Sequence, residues 1–86
     1  MYGRKDGWLA AHVGDELVMM SAESGAYVGL NEVGARVWEL IDPPRDLREI
    51  CAALAAEFET TPAACQLEVE AFLTELEARG AIVRTN

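Results

Sequence analysis

Eighty-six residues, 51% apolar and 26% charged, suit one globular domain over residues 1–86 and leave no room for a second core. Lys plus Arg total 7 against 15 Asp plus Glu, a net charge of −8, which argues against binding the phosphates of nucleic acid or an anionic membrane surface. No apolar run approaches the roughly 20 residues that cross a bilayer, no apolar stretch follows Arg4 and Lys5 to make a signal peptide, and two cysteines do not make a secreted disulfide framework, so the expectation is a soluble cytoplasmic domain too small for a large catalytic cleft.

The first half reads as strands and turns. Leu9 to Val13 is a candidate strand, and Gly14-Asp15 a tight turn. Glu16 to Met20 contains a short unbroken apolar run, as a central strand covered on at least one face would. Ser21 to Gly25 is a turn cluster, with Gly25 available for positive φ. Ala26 to Leu30 is a third strand whose alternation puts Ala26, Val28 and Leu30 on one face and Tyr27 and Gly29 on the other.

The second half reads as helices. Asn31 caps the first, with Val33, Val37, Leu40 and Ile41 as its buried stripe and Trp38 beside it. Asp42-Pro43-Pro44 ends it, because proline disfavours α at the residue before it and cannot extend a helix. Asp46 and Glu49 form a capping box for the second helix, whose apolar positions are Leu47, Ile50, Cys51, Leu54 and Phe58. Thr61-Pro62 opens the third, with Cys65, Val69, Phe72, Leu73 and Leu76 as its stripe and Gly80 as its stop. Ala81 to Val83 is expected to tuck an extended tail onto the core. The resulting fold class is α+β: a three-stranded antiparallel sheet followed by three helices, winged helix-turn-helix-like.

No catalytic constellation assembles. His12 stands alone, and Cys51 and Cys65 sit on apolar helix faces without partnering histidines or a C-x-x-C spacing, so they read as small buried hydrophobes. Ser21 and Ser24 have no base nearby, and Gly25 and Gly29 do not make a phosphate loop. No metal, cofactor or enzymatic activity is expected. A winged-helix DNA binder needs a basic recognition helix. The third helix instead carries Glu68, Glu70, Glu75 and Glu77, read as a solvated face, against Arg79 at its far end.

Three strands cannot close a barrel, so the sheet keeps open edges that another chain can pair with. The third strand, with the third helix packed along it, would leave a groove for an extended peptide.

The stretch from Ser24 to Asp42 (a small residue and Gly, then Tyr27, then Leu30-Asn31 before a helix bearing Trp38 and Leu40-Ile41) resembles the PqqD-like family. These are the precursor-peptide recognition elements of ribosomally made, post-translationally modified peptide pathways. Asp46 to Ile50 before an Ala/Leu-rich helix, and Val69 to Leu76 before Gly80, match in the same order, so the resemblance covers roughly residues 15–83. It implies binding of a precursor (leader) peptide as an added antiparallel strand. The docking strand would be Ala26, Tyr27, Val28, Gly29 and Leu30, and the groove wall Cys65, Glu68, Val69 and Phe72. It also implies a partner enzyme, a leader peptidase or other modifying enzyme of the pathway. Lasso peptide biosynthesis is the preferred setting, and a peptide chaperone for a radical SAM enzyme of pyrroloquinoline quinone synthesis the alternative. Ala81 departs from the family's usual leucine after the glycine. If the Val28 N–H faces the free edge, proline there would weaken docking.

Overall fold

The computed structural model describes residues 1–85. Strands β1 (Tyr2–Arg4), β2 (Trp8–Val13), β3 (Glu16–Ser21) and β4 (Tyr27–Leu30) come first. Helices α1 (Glu32–Leu40), α2 (Leu47–Phe58) and α3 (Pro62–Ala78) follow, then β5 (Ile82–Arg84).

Strands β2, β3 and β4 form one antiparallel sheet in that order. The central strand alternates as its pleat requires: Leu17, Met19 and Ser21 are buried, while Glu16 and Val18 are exposed. Ser21, expected in the turn, is instead the last residue of β3. Its hydroxyl oxygen accepts the Ser24 N–H at 3.1 Å and so holds the turn from inside the strand. Gly14 and Gly25 take positive φ at the two hairpin connections. The outer face of this sheet leaves Leu9, Val13, Val18 and Tyr27 exposed.

A second, two-stranded sheet pairs β1 with β5, Tyr2 opposite Arg84 and Arg4 opposite Ile82. The tail thus packs as expected, but as a strand with a partner at the other end of the chain. Nothing in Tyr2-Gly3-Arg4 announces this, because three residues are too few for a period-2 signal. Side chains fasten the region. Trp8 Nε1 donates to the Gly80 carbonyl at 3.0 Å. Arg4 Nε donates to the Trp38 carbonyl at 2.9 Å, and its guanidinium lies 4.7 Å from the centre of the Trp38 ring. Ala81 is fully buried, its carbonyl accepting the Lys5 N–H at 3.0 Å, so the tail packs with alanine at this position.

The helix starts follow the sequence signals. Asn31 Oδ1 accepts the Gly34 N–H at 2.9 Å, Asp46 Oδ1 accepts the Glu49 N–H at 2.8 Å, and Thr61 Oγ1 accepts the Ala64 N–H at 3.2 Å. The buried stripe of α1 needs one correction. Val37, Trp38, Leu40 and Ile41 are buried, but Val33 is 39% exposed. The stripe is centred on Gly34, Val37, Trp38 and Ile41, one residue round from the expected phase, which turns Val33 to the rim. Between sheet and helices, Met19, Ile41, Ile50, Leu54, Leu73 and Leu76 fill the core, each contributing about 1.5–3 kcal/mol by burial.

Candidate functional site

β4 pairs with β3 on one side and, among the described residues, with no strand on the other. The register fixes which backbone groups are free. Ser21 N–H donates to the Ala26 carbonyl at 2.9 Å, and the pairing continues as Met20 with Tyr27, Met19 with Val28, Val18 with Gly29 and Leu17 with Leu30. Antiparallel pairs alternate between hydrogen-bonded and non-bonded. Val28 and Leu30 therefore spend both backbone groups on β3, Ala26 gives β3 only its carbonyl while its N–H donates to Ser24 Oγ at 3.3 Å, and the N–H and C=O groups of Tyr27 and Gly29 point to the open edge. The Val28 N–H does not face outward, so that condition fails and the informative proline position moves by one residue.

The side chains divide the other way. Val28 and Leu30 turn inward, half-buried and buried, while Tyr27 is 68% exposed on the outer face. Alongside the free edge runs a groove of about 350 Å³. Its far wall is the C-terminal half of α3: Phe72, Glu75, Leu76 and Arg79. Arg79 and Glu75 form an ion pair there at 3.1 Å.

A second, more apolar pocket of about 310 Å³ opens between α1, the end of α2 and the first half of α3. Val33, Val37, Leu54, Phe58 and Val69 supply most of its apolar wall, with Cys65 and Glu68 on the α3 side. Asn31 and Phe72 border both spaces, so the two meet end to end.

Of the nine residues expected at the site, Tyr27, Val28, Gly29 and Leu30 line the strand groove together with Phe72. Cys65, Glu68 and Val69 line the second pocket. Ala26 is exposed just before β4. The reason is length. Four residues of strand reach about 13 Å, whereas the helix face from Cys65 to Arg79 reaches about 21 Å at 1.5 Å per residue. Sequence reasoning missed Glu75, Leu76 and Arg79. Continuing the i, i+3, i+4 progression two turns beyond Phe72 would have found them.

Cys51 and Cys65 are buried free thiols. Burial, reinforced by the neighbouring Cys65, pushes the Cys51 thiol up to about 11, which keeps it protonated and unreactive at neutral pH. Among the described residues, no three His, Cys, Asp or Glu side chains gather to hold a metal ion. No described helix is long and apolar enough to cross a membrane.

A half-open sheet set against three helices, with a groove along its bare strand and an apolar pocket continuing from it, defines a small α+β binding domain. Two solved structures share this architecture. One is TbiB1 in complex with the TbiA(beta) leader peptide, 27% identical, with a TM-score of 0.86 over 98% of this chain and 98% of that one. The other is a lasso peptide synthetase B1 complexed with the leader peptide, 18% identical, with a TM-score of 0.83 over 96% and 98%. The coenzyme PQQ synthesis protein D (PqqD) family matches residues 16–82, and this chain belongs to that family. Among curated proteins, no sequence matches it significantly.

Proposed function

We propose that the chain is a non-catalytic recognition protein for the leader region of a ribosomally made precursor peptide. The peptide adds as an antiparallel strand to β4, and the protein presents it to a leader peptidase or other modifying enzyme in the cytoplasm. The observation that carries this reading is the uncharged, uncovered edge of β4 with a groove beside it. β2 bounds the other side of the sheet, but its residues from Leu9 to Val13 are all exposed, so a chain added there would gain little burial.

The energies suffice. Tyr27 and Gly29 offer two donors and two acceptors, and four hydrogen bonds contribute about 1 kcal/mol each. Two apolar side chains of the peptide seated in the groove and pocket contribute about 1.5–3 kcal/mol each. These gains total about 7–10 kcal/mol, and ordering costs of about 2–5 kcal/mol leave binding between the millimolar and micromolar ranges. The net charge of −8 favours leaders with Lys or Arg and makes association salt-sensitive.

Lasso peptide biosynthesis is the preferred pathway, supported by the two structural neighbours. Pyrroloquinoline quinone synthesis is the second reading, supported by the family match. Titrating isotope-labelled protein with synthetic leaders of both kinds decides between them. The expected result is chemical-shift change at Tyr27 to Asn31 and Phe72 to Arg79 with one leader class. Silence toward both, or shifts confined to β2, would overturn strand addition at β4.

A further inference from the structure

The geometry points to Glu68 as a charge reader. It selects peptides that carry a lysine or arginine beside the apolar side chain entering the α1–α3 pocket. This inference rests on the peptide-binding reading above and adds a requirement that strand pairing alone does not impose.

Cys65, Glu68, Val69 and Phe72 fall at i, i+3, i+4 and i+7 on α3, and the same face continues through Glu75, Leu76 and Arg79. The ligand-facing side of the helix therefore holds three charges. Two of them neutralise each other, since Arg79 and Glu75 are paired at 3.1 Å. Glu68 is in no ion pair and no side-chain hydrogen bond among the described residues. It is also the one charged residue in the lining of the second pocket. The polar groups there do not substitute for a cation: Asn31 Oδ1 is occupied by the Gly34 N–H, and Thr60 is neutral.

The position gives this carboxylate a purpose that Glu70 and Glu77 lack. Those two lie off the groove face and border neither space. Glu68 stands at the mouth of an apolar recess, one turn from both Cys65 and Phe72. A peptide side chain filling the recess brings its neighbours against Glu68 and displaces water from one side of it, which strengthens a charge pair there relative to open solvent. A cation in the peptide is rewarded, and an acid is rejected by repulsion from both Glu68 and the overall charge of −8. An exposed charge pair at an interface rim changes affinity by about two- to fivefold.

The test is selection from a displayed library of random twelve-residue peptides against the full chain, Glu68→Gln and Glu68→Lys. Circular dichroism checks that each is folded. The wild type is expected to enrich Lys or Arg at one fixed offset from an apolar position. Glu68→Gln should keep the apolar position and lose the basic one, and Glu68→Lys should replace it with Asp or Glu. A selected Lys peptide should bind Glu68→Gln about two- to fivefold more weakly, and its Lys→Glu version should recover on Glu68→Lys. The same consensus from all three proteins would overturn the charge-reading role while leaving strand addition standing. Failure of the wild type to enrich any peptide would overturn both.

Discussion

The ring of Phe72 occupies the space that a methyl group on Gly34 would need. A Cβ at Gly34 would lie 3.1 Å from Cζ and 3.3 Å from Cε1 of that ring, and 3.3 Å from the Cβ of Leu30. The absent side chain on α1 is what lets Phe72 lean in and form the partition between the strand groove and the second pocket. Gly34→Ala removes that allowance. Phe72 is only partly buried, so it can swing by a few tenths of an ångström. The Leu30 Cβ, fixed to the buried β4 backbone, cannot turn away, so part of the overpacking strain of about 1–3 kcal/mol remains, while Gly to Ala in a helix returns about 1 kcal/mol. Thermal stability should therefore change by no more than about 1 kcal/mol, while leader affinity falls about tenfold as the displaced ring narrows the groove. Calorimetric titration alongside thermal denaturation measures both, and unchanged affinity would show that Phe72 is not a wall of the site.

Proline scanning of β4 separates the edge from the ladder. Gly29 directs its N–H to the open side, and a Cβ on this residue would meet nothing within 4 Å. Gly29→Pro should therefore leave the fold intact and cost about tenfold or more in leader affinity, the equivalent of one hydrogen bond and its geometry. Val28→Pro should behave differently. It removes a donor to β3 and leaves the Met19 carbonyl without that partner, which lowers stability by about 1–3 kcal/mol. Finding the two variants alike in both stability and binding would mean that the assigned alternation along β4 is wrong.

Glu59 ends α2 in the left-handed conformation, at φ 52° and ψ 43°. A residue with a Cβ is strained there, and the side chain is exposed. Glu59→Gly should raise stability by about 0.5–1 kcal/mol, seen as a higher midpoint in urea or heat. A lower midpoint would count against the left-handed cap.

The buried thiols set an alkaline limit. Burial, then the neighbouring Cys65, raises Cys51 from 9.0 to about 11 in the folded state. The unfolded chain releases this proton first, so stability is fully present below about pH 9 and declines as pH rises toward 11. Cys51→Ala should flatten that decline in a pH series of urea midpoints. A disulfide-exchange reagent at pH 8 should titrate neither thiol until the protein is unfolded; rapid reaction of the native protein would contradict their burial.

Much of this architecture is legible in the sequence because its signals are local. The caps at Asn31, Asp46 and Thr61 and the stops at Pro43 and Gly80 each depend on neighbouring residues alone. The β4 alternation is visible for the same reason. What escaped were relations between distant segments. β1 exists because Ile82 to Arg84 offers it a partner, and no three-residue window can reveal that. The phase of α1 shifted by one residue because Phe72, far along the chain, rewards a glycine at position 34. The division of the α3 face between two spaces depends on where a short strand crosses a long helix, a distance that spacing does not encode.

The pairing of β5 with β1 has a kinetic corollary. A C-terminal segment left loose could lie along β4 and compete with any incoming peptide, so that each capture would wait for the segment to leave. With Ile82 to Arg84 committed elsewhere, this segment does not have to be evicted. Capture should then follow simple second-order kinetics without saturation at high peptide concentration, and the entropy of ordering should be borne by the guest rather than the host.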